Sequence, residues 1–183
     1  NYLSYTTNQF GDITVTDTVT GLTWRMCQYN LGGTTCITGA VSAQTFANAT
    51  TLCNTTMNAQ NAGIGFGNIT TWRVPTMKEL LTIVNWGNTN PFVQSSPFPG
   101  FQGLQTWTND TYIPTPANNH TILFGSMAMS NFAKTSSAYV MCVSGTTLNN
   151  TKTYTDNNDG TVTHLESGLI WQKCNLGENN DSS

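Results

Sequence analysis

Apolar positions along this chain recur in three rhythms, and each predicts an element. Residues 13–26 alternate Thr, Val and Ile around Thr20-Gly21, the pattern of two short strands joined by a turn. Within residues 41–60, Phe46, Thr50, Cys53 and Met57 recur at steps of four, three and four, which predicts a helix with one buried face. A second helix is signalled by TMKELLTIVNWG: Thr76 and Glu79 form a capping box, Leu80, Leu81 and Val84 supply the buried stripe, and Gly87 is the expected stop. Residues 88–104, with Pro91, Pro97 and Pro99, predict an irregular loop. Strands are expected at 105–108, 120–126 and 137–143. The last sets Ala138, Val140 and Cys142 against Tyr139, Met141 and Val143, so both faces are apolar, as in a central strand. The expected architecture is α+β: two helices, then one antiparallel sheet that the N-terminal hairpin joins.

The opening rhythm returns. Residues 12–27 (DITVTDTVTGLTWRMC) and 159–174 (DGTVTHLESGLIWQKC) agree without a gap at eight of sixteen positions, including Trp24/Trp171 and Cys27/Cys174. Repetition at a fixed offset divides the chain into a complete domain over 1–148 and, over 149–183, either the start of a second copy or a segment that completes a neighbouring subunit. The strand-rich text around Val162, Leu165, Leu169 and Trp171 cannot enclose a core of its own and needs a partner sheet.

Composition narrows the function classes. Only 8% of residues are charged and the formal net charge is −3. The six basic residues, Arg25, Arg73, Lys78, Lys134, Lys152 and Lys173, form no run. Nucleic acid, which requires a basic stripe, is excluded as a partner. No apolar run is long enough to span a membrane. Asn1 is not a start methionine, which reads as a processed product or a fragment.

None of the five cysteines lies in a CxxC pair, so disulfides are expected rather than zinc or haem. Cys27 and Cys36 bracket the Gly-rich loop QYNLGGTT and are placed to pair, while Cys53 and Cys142 can pair across the core. Cys174, the image of Cys27, is left either as a thiol or with a partner in another chain. Seven Asn-x-Ser/Thr sequons, at Asn48, Asn54, Asn68, Asn109, Asn119, Asn149 and Asn180, fit an exported protein.

Five segments in order, TVTDTVTGLTWRMC (14–27), WRVPTMKEL (72–80), Phe98-Pro99, TWTND (106–110) and VMCV (140–143), resemble the C-terminal domain family of the Legionella collagen-like adhesin. That family carries TVTDxxTGLxWQxC, WRLPTxxEL, an FP turn, a YWSST-like strand and VRCV. The resemblance covers about residues 10–145. It implies a divergent C-type-lectin-like fold with a twisted antiparallel sheet, an exported bacterial protein at the cell surface or outside the cell, and an adhesive role. The sulfated-glycan binding associated with the adhesin is not carried over, because this chain is acidic.

Candidate chemistry is sparse. Trp107-Thr108-Asn109-Asp110 is similar to the WND calcium and sugar motif of C-type lectins with one residue inserted. Asn109, Asp110 and Asn118 are the candidate oxygen donors. The companion acidic-Pro-Asn tripeptide is absent, so a strand end with a buried Trp is the default and no cofactor is expected. Asp156–Gly160 misses the EF-hand spacing and reads as a hairpin turn. His120 and His164 have no nucleophile in a recognisable setting, Ser42, Ser126 and Ser130 lie in no GxSxG, and Asp12, Asp17 and Glu79 flank a hairpin or cap a helix, so no enzyme is expected. A binding face is better sought among the aromatics of the long loop and its flanks, Trp86, Phe92, Phe98, Phe101, Trp107 and Tyr112, with Asn109 and Asp110 beside them; the competing reading buries most of those rings beneath the loop. Two functions remain: an adhesive, lectin-like module binding glycans or a cell surface through residues 86–118 and assembling with other copies of itself, or a structural subunit of an extracellular filament or appendage. In either, Val162, Leu165, Leu169, Trp171 and Cys174 are candidates for an intermolecular contact.

Overall fold

The computed structural model describes residues 3–7, 9–148, 153–165 and 167–174. It divides into two compact units, Asn1–Leu148 and Asn149–Ser183.

In the first unit, β1 (Leu3–Thr7), β2 (Ile13–Asp17), β3 (Thr23–Arg25) and β9 (Val143–Ser144) form an antiparallel sheet in that order. The β2–β3 register pairs Val15 with Trp24. The turn closes through the Gly21 amide donating to the Asp17 carbonyl (2.8 Å), with Gly21 at φ 72°, a conformation that costs glycine little. A short ribbon, β4 (Leu31–Gly32) with β5 (Thr38–Gly39), follows. A second antiparallel sheet comprises β6 (Gln105–Thr111), β7 (Asn118–Leu123) and β8 (Ala128–Ala133). The mixed α+β class stands, but the single sheet expected from sequence is several small sheets. The N-terminal hairpin joins residues 143–144 rather than β6–β8.

Segment 138–144 explains why. It is tied in turn to Gln44, to Thr106 of β6 (a parallel bridge at Tyr139), to Arg73 and to β3, so no ladder grows beyond two residues. Its alternation is as the sequence pattern predicts. Ala138, Val140 and Cys142 face a core with Ala49, Cys53, Met57, Trp72, Val74 and Trp107. Met141 and Val143 face another with Leu22, Trp24, Leu80, Ile83, Phe98, Phe101, Ile122 and Phe124. The predicted central strand is thus a partition between two cores.

The first helix begins later than predicted. Gln44 is spent pairing with Ala138, and Thr45 caps α1 (Phe46–Thr51) by accepting from the Asn48 amide. The helix runs on through a π-helical turn, Leu52–Met57, into α2 (Asn58–Gly63), where Asn61 and Ala62 adopt positive φ and break it. The capping box forms on α3 (Met77–Thr82): Thr76 Oγ1 accepts from the Glu79 amide and Glu79 Oε2 from the Thr76 amide. This helix stops at Thr82, not Gly87, because Val84 leaves it to bridge Val93.

Both expected disulfides are present, Cys27–Cys36 across nine residues and Cys53–Cys142 across 89. Cys53 and Cys142 are buried in the second core, so that bridge fastens the first helix to the partition strand.

The second unit is a three-stranded antiparallel meander, β10 (Tyr154–Asp156), β11 (Thr161–His164) and β12 (Ile170–Gln172). Asp156–Gly160 is its hairpin turn, as expected, with Asp156 Oδ1 accepting from the Asn158 amide.

A candidate binding groove in the long loop

The loop after α3 is sewn down rather than loose. The Phe92 amide donates to the Phe124 carbonyl at 2.9 Å. Gln28, 1% exposed, exchanges two hydrogen bonds with the backbone of Gln102 at 2.8 and 3.1 Å. Gly100, at φ 65°, passes so close to the Cys27–Cys36 loop that a Cβ would lie 2.7 Å from the Thr35 carbonyl oxygen. Phe98, Phe101 and Phe124 stack edge to face beneath it, with centroids 6.4 and 5.1 Å apart.

Between the loop and this floor lies a groove of about 510 Å³, lined by Gly87, Asn88, Thr89, Pro91, Val93, Ser95, Phe98, Gly100 and Phe101. No charged side chain lines it. Trp86, which adjoins Gly87 in the chain, is 69% exposed with its ring edge-to-face on Phe92 (6.2 Å). The groove therefore combines an apolar floor, hydroxyl and amide groups and, beside it in the chain, an open indole.

The sequence-predicted face is only partly assembled. Trp86 is exposed and Phe92 half-buried. Phe98 and Phe101 are floor rather than surface, and Trp107 is fully buried in the second core, where its indole donates to the Gln44 carbonyl. Their burial follows the other reading of the sequence, a buried Trp at the strand end and rings packed beneath the loop, although Phe98 and Phe101 still line the groove; the loop over them is pinned by Gln28 and Gly100. Tyr112 packs against His120 across 5.3 Å, away from any groove-lining residue in sequence. Asn109 is exposed and its amide donates to the Pro75 carbonyl.

Two of the three candidate calcium donors make hydrogen bonds of their own. Asp110 accepts from the Met77 amide at the start of α3, and the Asn118 side-chain amide donates to Asn131. Among the described residues no group of three or more His, Cys, Asp and Glu is placed to hold a metal ion. Of the sequons, Asn48, Asn54, Asn68 and Asn109 are exposed, while Asn119 is fully buried with its side-chain amide donating to the Thr108 carbonyl, which removes it as an acceptor site. Asn149 and Asn180 lie outside the described residues.

Two charged clusters serve structure. Arg25 donates to the carbonyls of Cys27, Gln28 and Leu31 at 2.6–2.7 Å and lies 5.5 Å from the Phe66 ring centroid. Burial lowers its pKa, against the opposing pull of Asp12 and Tyr29. It lines a smaller pocket of about 230 Å³ with Asp12, whose carboxylate accepts from Asn61 and the Gly67 amide. Glu79 does more than cap a helix. Its buried carboxylate takes both Arg73 nitrogens at 2.7 Å, the Thr76 amide at 2.8 Å and the Leu148 amide at 2.9 Å. Burial, the largest influence, pushes its pKa up, but these bonds and the Arg73 charge outweigh it and hold the carboxyl below its ordinary range. The residues joined, at 73, 76 and 148, are too far apart in sequence for a local motif to announce more than the cap.

The molecule is thus a disulfide-bonded α+β domain with a neutral surface groove. The chain belongs to the Lcl C-terminal domain family, whose sequence model matches residues 13–144. The match begins with β2 and ends with β9, so it covers the first unit apart from β1; the second copy of the opening motif lies outside it. Among curated proteins none matches the chain. The family is one of collagen-like adhesins and not a known enzyme family, which points to a surface or secreted protein. No described helix is long and apolar enough to cross a membrane.

Proposed function

We propose that the first unit is a C-type-lectin-like adhesive module, exported to the cell surface or beyond, that binds uncharged glycans in the groove between residues 87 and 101. The observation that carries this reading is the groove itself. Its lining supplies the hydroxyl and amide groups of Asn88, Thr89 and Ser95 over an apolar floor, without one charge, and Trp86 stands exposed beside it. Sugar rings stack on aromatic faces through their C–H edges and hydrogen-bond through hydroxyls, so an uncharged mixed surface suits them. A sulfated chain would find no cation in the groove to repay the desolvation of its anions. Binding of neutral glycans on an array, lost in Trp86→Ala with the fold intact, supports the reading. A well-folded protein that ignores neutral glycans, or whose binding survives Trp86→Ala unchanged, overturns it.

A further inference from the structure

The hairpin β11–β12 repeats β2–β3 in structure as well as in sequence. Val162 pairs with Trp171 as Val15 pairs with Trp24, and Thr163 with Ile170 as Thr16 with Thr23. In both turns the same two backbone bonds form at 2.8 Å: Asp17 to Leu22 and Gly21 to Asp17, then His164 to Leu169 and Gly168 to His164. Gly21 and Gly168 share a φ near 70° (72° and 69°). Even the polar staple is replaced as a pair: Thr20 donates to Asp17 at 2.7 Å in the first, and Ser167 meets His164 at 2.6 Å in the second. A preceding strand lies antiparallel on each hairpin, Tyr5 opposite Val15 and Asp156 opposite Val162.

What differs is the cover. Val15, Leu22 and Trp24 are all 0% exposed, whereas Leu169 and Trp171 are each 56% exposed. The outer edge of β3 is paired to β9 through Thr23–Ser144 and Trp24–Val143, while β12 has no such strand among the described residues. The first unit shows what an apolar face of this geometry packs against: Leu80, Ile83, Phe124, Met141 and Val143. That body cannot also serve the meander, because its slot is filled by its own hairpin and Val143 is committed to Trp24.

We infer that residues 153–174 are the opening meander of a second domain of the same family, and that their apolar face is the docking site for a second body of the kind formed by residues 28–148. That body joins through Cys174 as the first joins through Cys27. This does not depend on what the groove binds.

Two measurements test it. In the first, sedimentation velocity and acrylamide quenching are run on the intact chain, with Trp171→Phe isolating the Trp171 signal. The expected result is a monomer whose Trp171 is quenched. An oligomer or fibre that shields Trp171 would mean that a neighbouring copy covers the face, and would overturn the inference. In the second, the chain through Cys174 is continued directly into a second copy of residues 28–148. Loss of Trp171 quenching and a third disulfide, between Cys174 and the copy's Cys36, are expected. The double variant Leu169→Asp, Trp171→Asp is expected to abolish cooperative unfolding of the copy while sparing the first domain. A copy that folds equally well in the double variant, or an extended chain whose Trp171 remains quenchable, overturns the inference.

Discussion

Removing the Glu79 carboxylate tests whether one buried group holds three segments together. In Glu79→Ala, Arg73 loses a bidentate partner and the amides of Thr76 and Leu148 lose their acceptor. Breaking a buried ion pair from one side costs about 3–5 kcal/mol. The Arg73 side chain is 21% exposed, so water recovers part of that and about 2–4 kcal/mol is the fair expectation. Urea unfolding followed by Trp fluorescence measures the loss. Glu79→Gln, which keeps the shape but not the charge, should fall between wild type and Ala. The pH dependence has a defined sign. The folded carboxyl titrates below its unfolded value, so its contribution is complete above the unfolded pKa of about 4.3 and is lost as pH falls through the folded one. Wild type should therefore lose stability more steeply than Glu79→Gln as pH drops below about 4.3. A loss under about 0.5 kcal/mol in Glu79→Ala, the range of ordinary surface substitutions, or parallel acid profiles for wild type and Glu79→Gln, would refute the reasoning.

Other expectations follow from the same geometry. Replacing Cys53 and Cys142 by Ala should cost more than replacing Cys27 and Cys36. On chain-entropy grounds the 89-residue closure is worth about 4.6 kcal/mol and the nine-residue one about 2.6 kcal/mol, a difference that thermal unfolding of the two double variants would show. Gly100→Ala should destabilise by about 1–3 kcal/mol, because its positive φ and the Thr35 carbonyl both oppose a Cβ; calorimetry with an unchanged midpoint would contradict this. Trp86→Ala should leave urea unfolding within about 0.5 kcal/mol of wild type, since the ring is 69% exposed.

Local chemistry was legible where it is local. The capping box at Thr76 and Glu79, the hairpin around Gly21 and the double-faced alternation of 138–143 all rest on neighbours a few residues apart, and each is in the structure. Strand β8 was not legible: AMSNFA alternates no apolar face and its first three residues are exposed, so it is held by pairing with β7 and by Phe132 edge-on to Trp107. β1, Leu3–Thr7, lies ahead of the strand pattern that starts at residue 13. The helix start was misplaced because Gln44 and Thr45 look helix-compatible until Ala138 claims the backbone of Gln44. The candidate site suffered most from distance. Phe98 and Phe101 sit in Pro/Gly-rich text that fits either an open face or a core beneath the loop, and Gln28, 74 residues from Gln102 in the chain, decides for the core by holding that loop down. Trp86 alone of the exposed aromatics was both predicted for the face and left open there.

The adhesive reading is tested most directly by a glycan array probed with wild-type protein and Trp86→Ala side by side, over neutral and sulfated ligands at two salt concentrations. The wild type is expected to bind neutral glycans with little salt dependence, and Trp86→Ala is expected not to bind them. Binding confined to sulfated glycans and weakening with salt would contradict it.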